Sequence, residues 1–468
     1  MAYKFLAAAS ARTVPIVPIE TGVFAAWLKK QPAAMKRWVE SAGFRARPGS
    51  VSLVAGADGT LATVLAGVDD HQGLWSYASL PTHLPAGRYE IDARMDRDGA
   101  TRAALGWALG CYSFDRYKSK KEERELPALV WPKNCDRGAV TRTADAATLV
   151  RDLINTPAED MGPPELAAAA RKLARAHKAR ISVIVGDQLL KRNYPTIHAV
   201  GRAAAKAPRL IDLAWGRRDA PRVTLVGKGV CFDTGGLDIK TATGMLRMKK
   251  DMGGAAHVLG LAHMIMDAKL DVRLRVLIGA VENSVAGNAY HPLDVIRTRK
   301  GITVEIGNTD AEGRLVMCDA LAEADREKPA LLADYSTLTG AARVALGTEL
   351  AALFTNNDAL AGDLAQAGKA VSDPLWRLPL WKPYRRMLDS KVADINNVSE
   401  GGQGGAITAA LYLQEFVSDS TPWAHFDIMA WNAAARPGRP VGGEAMGMRA
   451  LYSVIEKRFG GKRGRKRK

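Results

Sequence analysis

Short apolar runs alternate with helical patterns along the second half of the chain. The runs are rich in Val, Ile and Leu, as buried strands are, and lie at Ile181–Val185, Leu210–Trp215, Val223–Val226, Leu274–Ile278 and Leu331–Asp334. Ala255–Ala268 and Leu315–Arg326 have helical patterns between them. Strands that alternate with helices form mostly parallel sheets. The pattern therefore predicts an α/β domain with a central, mostly parallel sheet flanked by helices, and a site at the strands' carboxyl ends.

Residues 1–137 show a mixed pattern and are predicted to form a smaller N-terminal α/β domain. Two apolar runs, Ser52–Gly56 and Leu61–Val68, flank Asp58-Gly59, which favours a hairpin turn. Val14–Ile19 alternates prolines with β-branched residues, and this favours an edge strand or an extended entry. Helices are expected at Gly22–Lys30 and Arg102–Tyr112.

The segment Pro127–Arg137 contains prolines and polar residues and is predicted to be a connector. Helices are expected at Asp145–Ile154 and from Pro163 to His177, where a proline pair suits the first helical turn. We therefore place the N-terminal domain at 1–137, the larger C-terminal domain at 138–460 and a basic, disordered tail at 461–468.

The composition is that of an ordinary globular protein, with 47% hydrophobic and 25% charged residues in 468. The N-terminal apolar run is too short for a signal peptide, and no stretch has the length of a membrane span without charged or turn residues. The cysteines are widely separated, at Cys111, Cys135, Cys231 and Cys318. This spacing argues against a zinc knuckle and a disulfide framework, so we expect a cytoplasmic protein.

The formal net charge of +17 has two sources. Six basic residues lie in Lys462–Lys468 behind a glycine pair, and removing those six from +17 leaves +11 for the rest of the chain. A short basic tail of this kind is expected to be solvated and disordered. Positive charge also favours contact with nucleic acid at low salt, so a nucleic-acid-binding role stays open at this point.

Carboxylates and cations concentrate in two glycine-rich stretches, Val223–Ala256 and Gly307–Leu315. The carboxylates are Asp233, Asp238, Asp251, Asp310 and Glu312. Carboxylates that are crowded together repel one another, and apolar surroundings make the charged form costlier still. A cation should therefore lie among them, and the sequence predicts a metal site.

A metal site built from carboxylates fits these stretches better than a phosphate-binding loop, a plain helix start or histidine ligands. Gly227–Gly229 lacks the spacing of a phosphate-binding P-loop. Asp310–Arg314 taken alone could be an acidic helix start, but this does not explain the carboxylates of the first stretch. His257 and His263 would lie about 240° apart around one helix, so we expect them to be packing residues rather than ligands.

Asn308–Leu315 reads Asn-Thr-Asp-Ala-Glu-Gly-Arg-Leu and resembles the signature of the leucyl aminopeptidases, the cytosol aminopeptidase family of two-metal exopeptidases. The resemblance extends from about Asn155 to Tyr452. Further matches are Gly227–Gly229, Phe232–Gly236, Lys249–Ala256, Ser336–Ala341, Ala393–Asn397, Gly404–Ala410 and His425–Ile428. The first 137 residues resemble the family only loosely, in a domain that varies among its members.

The resemblance implies two divalent ions, with zinc replaceable by manganese or magnesium at the looser position. It makes Asp233 and Glu312 bridging ligands. Lys228 and Asp251 would complete the coordination of one ion, and Asp310 that of the other, partly through its backbone carbonyl. Oxygen ligands without His or Cys are compatible with such exchange. A lysine can bind a metal only as the neutral amine, so adjacent dications would have to lower the pKa of Lys228 strongly.

The resemblance also implies that Lys240 faces the scissile carbonyl and that Arg314 holds a bicarbonate ion as general base. No His or spare Glu in these stretches is an evident base. Further substrate-binding or anion-binding residues would be Met248, Gly313, Thr337, Leu338 and Gly340. Asp238 matches no ligand position and is expected to be a plain loop carboxylate.

The function expected from this resemblance is that of a metal-dependent aminopeptidase acting on peptides with a free N-terminus. Two metals lower the pKa of a shared water, and a protonated Lys240 can stabilise the oxyanion. The family forms homohexamers, so we expect one here, without membrane association. The chain departs from the family at Thr241, where proline often follows the lysine, and Trp431-Asn432 lies where the family lines its specificity pocket. The preferred N-terminal residue therefore does not follow from the resemblance.

Overall fold

The computed structural model describes residues 5–10, 12–119 and 125–460. The chain forms two compact units, Met1–Thr148 with Ala434–Val441, and Leu149–Ala433 with Gly442–Lys468. The predicted domain boundary at residue 137 stays a prediction. The predicted tail at 461–468 lies outside the described residues. No helix in the described ranges is long and apolar enough to cross a membrane.

The first unit contains a six-stranded sheet in the order β1-β6-β5-β2-β4-β3, parallel except for the β3–β4 pair. Its elements are β1 (Leu6–Ala7), β2 (Thr13–Glu20), α1 (Phe24–Lys29), α2 (Ala33–Ser41), β3 (Val51–Ala55), β4 (Leu61–Val68), α3 (Leu80–His83), β5 (Arg88–Ile91), α4 (Arg97–Gly110), β6 (Ala128–Val130) and the start of α5 (Arg137–Asn155). The predicted hairpin is confirmed, since β3 and β4 pair antiparallel on either side of Asp58-Gly59.

The prediction that Val14–Ile19 forms an edge strand or an extended entry is wrong. β2 lies inside the sheet, between β5 and β4. The sheet tolerates its prolines because the two pairings are staggered: Thr13–Ile16 pairs with β5 and Ile16–Glu20 with β4. Pro15 therefore pairs on one side of the strand and Pro18 on the other. Each proline, which lacks an N–H, leaves one side of its strand unpaired.

Two further predictions in this part of the chain need correction. The expected connector Pro127–Arg137 contains β6, which pairs with both β1 and β5. The helices α4 and α5 begin earlier than expected, because each follows an aspartate that caps it. Asp96 accepts a hydrogen bond from Gly99 N (2.6 Å) and Asp136 accepts one from Ala139 N (2.9 Å).

The second unit is built on an eight-stranded sheet in the order β15-β14-β17-β13-β9-β10-β8-β7. The strands of this sheet are β7 (Arg180–Val185), β8 (Arg209–Trp215), β9 (Arg222–Asp233), β10 (Arg273–Asn283), β13 (Leu331–Ser336), β14 (Ala351–Thr355), β15 (Leu375–Arg377) and β17 (Trp423–Asp427). A three-stranded sheet contains β11 (Val295–Arg297), β12 (Thr303–Glu305) and β16 (Ile395–Asn396), and a two-stranded sheet contains β18 (Trp431–Asn432) and β19 (Gly442–Gly443). The central strands β17, β13, β9 and β10 are parallel, as predicted, while β8 pairs antiparallel with both β7 and β10.

Helices flank this sheet. They are α6 (Pro163–Ala176), α7 (Gln188–Lys191), α8 (Pro195–Gly201), α9 (Ala242–Met245), α10 (Gly253–Asp267), α11 (Glu312–Asp325), α12 (Gly340–Leu346), α13 (Asp358–Ala370), α14 (Gly405–Gln414) and α15 (Met448–Phe459). Both α10 and α11 are buried along almost their whole length. The first turn of each follows a short 3₁₀ segment, Met248–Met252 and Thr309–Ala311 respectively. These two segments carry predicted site residues.

Candidate active site

The predicted ligands lie where β9 ends and α10 and α11 begin. Lys228 is inside β9, and Asp233 is its last residue. Asp251 lies in the 3₁₀ segment before α10, Asp310 lies in the one before α11, and Glu312 is the first residue of α11. β9 is a central strand of the parallel part of the sheet, so the cluster forms at the carboxyl end of a parallel strand, as expected.

Two lysines connect the carboxylates into one cluster. Lys228 Nζ lies 2.6 Å from Asp251 Oδ2 and 2.8 Å from Glu312 Oε1. Lys240 Nζ lies 2.9 Å from Asp233 Oδ2 and also contacts Asp310 Oδ1. The structure thus brings together all the residues proposed as protein ligands, with Lys240 beside them.

Burial and charge shape the ionisation of this cluster. Burial raises the pKa of Glu312 well above its usual value, and repulsion from Asp233 adds to this. The pKa of Asp310 is raised for the same reasons. Burial alone would lower the pKa of Lys228, but the attraction of Asp251 and the other carboxylates outweighs it and raises that pKa. The site therefore favours positive charge at its centre.

The residues present fit a divalent metal centre. Oxygens of Asp233, Asp310 and Glu312 lie within 4.8 Å of one another. Asp251 Oδ2, Asp310 Oδ1 and Glu312 Oε1 are buried oxygens that face a lysine ammonium, which is Lys228 for Asp251 and Glu312 and Lys240 for Asp310. Buried, clustered carboxylate oxygens that face cations suit metal ions that prefer oxygen ligands. The assignment of each ligand stays a prediction.

Glycines allow the elements to approach one another at the site. Gly235 and Gly236 have φ values of +91° and +68°, in the left-handed region where other residues are strained. A Cβ at Gly313 would lie 2.7 Å from Lys228 Cε and 2.9 Å from its Nζ. The Gly313 position therefore leaves room for the lysine side chain to reach Asp251 and Glu312.

Arg314, the proposed anion-binding residue, is 9% exposed on α11. Its Nη1 donates a hydrogen bond to the carbonyl of Asn397, and burial lowers its pKa. The backbone amide of Leu338, predicted to help hold the same anion, donates to Asp427 Oδ1 at 3.0 Å. An anion bound there would have to share or replace that acceptor. Whether this amide binds an anion stays a prediction.

Three other predicted residues lie in segments around the cluster. Thr337 contacts it directly, since its Oγ1 donates to Asp251 Oδ1 (2.6 Å) and its carbonyl accepts from Lys228 Nζ (3.3 Å). Met248 begins the 3₁₀ segment that carries Asp251, and Gly340 begins α12. Their contact with substrate stays a prediction.

Comparison with known proteins identifies the family. The profile of the catalytic domain of the cytosol aminopeptidase family matches residues 148–452, and that of the M17 aminopeptidase N-terminal domain matches residues 14–132. The chain belongs to the cytosol aminopeptidase family. Membership confirms the resemblance seen in Asn308–Leu315. The match of the N-terminal domain also extends the resemblance to residues 14–132, where the sequence itself showed only a loose likeness to the family.

Curated relatives and solved structures agree with this assignment. A probable cytosol aminopeptidase from Roseiflexus castenholzii is 43% identical over 366 residues, 75% of each chain, and one from Rhizobium meliloti is 39% identical over 420 residues, 84% of this chain and 83% of its own. The crystal structure of the cytosol aminopeptidase from Coxiella burnetii has a TM-score of 0.93 and 50% identity, covering 97% of this chain and 99% of its own. The bottromycin maturation enzyme BotP in complex with Mn has a TM-score of 0.86 and 34% identity, covering 96% and 99%.

These findings confirm that this aminopeptidase is a leucyl-aminopeptidase-like hydrolase with the two-domain α/β fold of its family. The residues that organise its site include several that the sequence alone does not predict. Asn283 Nδ2 donates to Asp233 Oδ1 at 2.8 Å, and Tyr290 OH donates to the carbonyl of Thr309 at 2.6 Å. Asn283 ends the strand beside β9, and this position at the carboxyl end of a strand is the signal that could have identified it. The apolar run, however, predicts that this strand ends at Ile278.

Residues that were not predicted as ligands have other tasks in this aminopeptidase. Asp238 Oδ2 accepts from the backbone N of Thr309 at 2.7 Å, so its carboxylate braces the turn that carries Asp310. His257 Nδ1 lies 2.6 Å from the carbonyl of Gly253, and its Nε2 accepts from Met446 N at 2.9 Å. His263 contacts His177 instead. Among the described residues, neither histidine joins the carboxylate cluster.

Proposed function

We propose that the chain is a metal-dependent aminopeptidase that removes the N-terminal residue from peptides in the cytoplasm. The observation that carries this proposal is the cluster itself, in which Lys228 and Lys240 link four carboxylates at the end of a central strand. Support for a metal also comes from the Mn complex of BotP, which is similar to this chain over nearly its whole length.

The proposed metal ligands are Lys228, Asp233, Asp251, Asp310 and Glu312. When bound, two divalent ions, Zn²⁺ or Mn²⁺ and also Mg²⁺ at the looser position, supply Lewis-acid activation of water and a positive anchor for the substrate's α-amino group. The need for that amino group would restrict cleavage to the N-terminal residue. Lys228 would have to bind as the neutral amine, so metal binding there releases a proton.

Lys240 supplies the positive charge that the substrate's carbonyl oxygen needs as it becomes an oxyanion. Burial alone would lower the pKa of Lys240, but the attraction of Asp233 and Asp310 outweighs it and raises that pKa, so the ammonium keeps its proton at neutral pH. Its side chain is 15% exposed, against 3% for Lys228, so it is the more accessible of the two lysines. Removing an oxyanion donor elsewhere costs about 2.7–4 kcal/mol.

In this proposal Arg314 would hold a bicarbonate ion, which would supply a general base for the attacking water. The guanidinium is cationic and lies on α11, two residues from Glu312. No histidine of the described residues takes part in the carboxylate cluster, so the chain offers no other evident base at this place.

Metal removal tests this function. We expect exhaustive chelation to abolish hydrolysis of aminoacyl anilides and Mn²⁺ or Zn²⁺ to restore it, because the proposed activation of water needs the metal ions that the carboxylates would hold. The metal content of the same samples is measured by mass spectrometry. An anilide with an acetylated α-amino group is the control and should not be cleaved. Full activity in protein shown to contain no metal would contradict the proposal.

No second function is proposed on charge alone. The formal net charge of +17 includes six basic residues after residue 461, outside the described part of the chain. Several arginines elsewhere are engaged in ion pairs, such as Arg275 with Asp212 and Glu323. A nucleic-acid-binding role is therefore supported by the composition alone, and not by a defined basic surface among the described residues.

A further inference from the structure

Asn283 links the two stretches of chain that form the carboxylate cluster. It is the last residue of β10 and lies beside Asp233, the last residue of β9, in the parallel pairing of the two strands. Its side-chain Nδ2 donates to Asp233 Oδ1 at 2.8 Å and to the carbonyl of Thr309 at 3.1 Å. One amide group therefore holds both the end of β9 and the turn that presents Asp310 and Glu312.

The orientation of this amide is set by its surroundings. Asn283 is 1% exposed, and its two acceptors lie on the same side, so the NH₂ group has to face them. Its Oδ1 is buried without a hydrogen-bond partner among the residues that the structure describes. A buried unpaired acceptor costs about 1–3 kcal/mol. The hydrogen bonds that Asn283 Nδ2 donates explain why an asparagine stands at this position despite that cost.

The hydrogen bonds from Asn283 decide which oxygen of Asp233 is free. Asp233 Oδ1 accepts from Asn283 Nδ2 and from the backbone N of Gly235 (2.9 Å). Oδ2 is the oxygen that faces the cluster, where it lies 2.9 Å from Lys240 Nζ. Loss of the amide would leave the backbone N of Gly235 as the donor to Oδ1 and would hold the orientation of the Asp233 carboxylate less firmly.

We propose that Asn283 is a positioning residue for the metal centre, which fixes the orientation of the Asp233 carboxylate. The inference rests on the proposed function, since it assigns Asp233 to metal binding. Asn283 would touch neither metal nor substrate. Partners that orient metal ligands typically contribute about 10- to 100-fold in metal affinity or activity.

Asn283→Leu tests this, because the leucine side chain has the same branching and number of heavy atoms and no donor. We expect its affinity for Mn²⁺, measured by competition with a fluorescent chelator, to fall about 10- to 100-fold. Since Asn283 would act through Asp233 alone, saturating Mn²⁺ should return kcat to near the wild-type value with KM unchanged. A catalytic or substrate-binding role would instead lower kcat or raise KM even at saturating metal.

Tyr290→Phe is the matched control. Tyr290 OH donates to the same Thr309 carbonyl at 2.6 Å, and the structure gives it no bond to Asp233. This variant removes one tie to the turn and keeps the orientation of Asp233, so its affinity for Mn²⁺ should fall by less than about threefold, well below the effect of an orienting partner. If Asn283→Leu does not fold, Asn283→Ser, which keeps one donor, takes its place and should show a smaller loss in the same direction.

The outcomes separate the two proposals. Wild-type protein that binds no Mn²⁺ would overturn the proposed function and this inference together. Tight binding by wild type that is unchanged in a folded Asn283 variant would overturn the inference and leave the function standing. An equal loss in Tyr290→Phe and Asn283→Leu would also overturn it, because the turn at Thr309 and not Asp233 would then be the element that matters.

Discussion

Lys228 and Lys240 lie at the same site and differ in how far they are enclosed, in line with the two roles proposed for them. Both lie between two carboxylates, and these carboxylates raise the pKa of both against the effect of burial. Lys228 is packed against Gly313, where even a methyl group would collide with its Cε and Nζ. Lys240 follows a loop with positive-φ glycines and is the more accessible lysine. The enclosed side chain of Lys228 suits a metal ligand, and the more accessible side chain of Lys240 suits a group that contacts the substrate.

Substitution separates the roles of Lys240 and Arg314. Lys240→Ala should lower kcat by about 10²–10³-fold in any buffer, because the lysine would act directly on the reacting carbonyl. Arg314→Ala should lose rate mainly by losing bicarbonate. Wild type depleted of carbonate should therefore be activated clearly by added bicarbonate, and Arg314→Ala should respond little. Steady-state kinetics with and without bicarbonate measure both effects.

Metal content provides the control for these two variants. Neither Lys240 nor Arg314 is a proposed ligand, so both variants should still bind two metal ions. Asp233→Ala or Glu312→Ala should lose metal and activity together, since each removes a proposed bridge. Bicarbonate activation of Arg314→Ala equal to that of wild type would show that the anion binds elsewhere.

At the level of residues, the sequence could reveal the cluster but not the groups that orient it. Asp233, Asp251 and Asp310 stand out because carboxylates crowded beside apolar runs are costly without a cation, and the resemblance to the family implies metal-binding roles for them. Asn283 and Asp238 act through hydrogen bonds to residues far away in the chain, Asp233 and Thr309. Such partners become visible only when the fold brings them together.

Among the secondary-structure elements, the periodicity of apolar residues locates the central strands and the helices beside them. It does not locate helix starts that depend on a capping side chain. Helix α5 begins at Arg137 because Asp136 caps it, although the apolar pattern is clear only further along. The prediction for β2 is wrong because the sequence shows the prolines of β2 but not that its two neighbouring strands pair with different parts of it. Pairing with other strands is a property of the whole sheet.

The pairing of β13 and β17 includes a buried ion pair that makes a prediction about stability. His425 Nδ1 lies 2.6 Å from Asp334 Oδ1, and Trp423 Nε1 donates to Asp334 Oδ2 at 2.7 Å. Both His425 and Asp334 are fully buried. His425→Phe would leave the carboxylate of Asp334 buried without its cation. We expect a loss of about 3–5 kcal/mol in the free energy of unfolding, measured with denaturant.

The pH dependence of this pair follows from the pKa of His425. Burial alone would lower that pKa, but the attraction of Asp334 outweighs it and raises the value above the usual 6.5. The stabilisation is therefore complete below about pH 6.5 and is lost as the pH rises through the folded-state pKa. The double variant His425→Phe with Asp334→Asn should recover much of the stability and lose this pH dependence. A single variant as stable as wild type would contradict the role given to the pair.

At the scale of the whole molecule, the sequence predicted two α/β domains and could not predict the surface. Large apolar side chains are exposed in the second unit, among them Leu246, Leu293, Val344, Trp376 and Val392. Apolar side chains exposed singly are normal on a protein surface, and an assembly that brings such side chains together would cover them. We propose that the chain self-associates through the larger domain, as expected from its resemblance to the family.

Light scattering tests this assembly directly. We expect a particle of about 302 kDa, six times the 50.3 kDa chain, because association would cover the exposed side chains of the second unit. The mass should hold over a dilution series down to the concentrations used for activity assays. Deletion of residues 461–468 is the control and should leave the mass at six chains, since the proposed contacts lie in the larger domain. A monomer with full aminopeptidase activity at the assay concentration would show that the site needs no partner subunit and that the hexamer is not the working form.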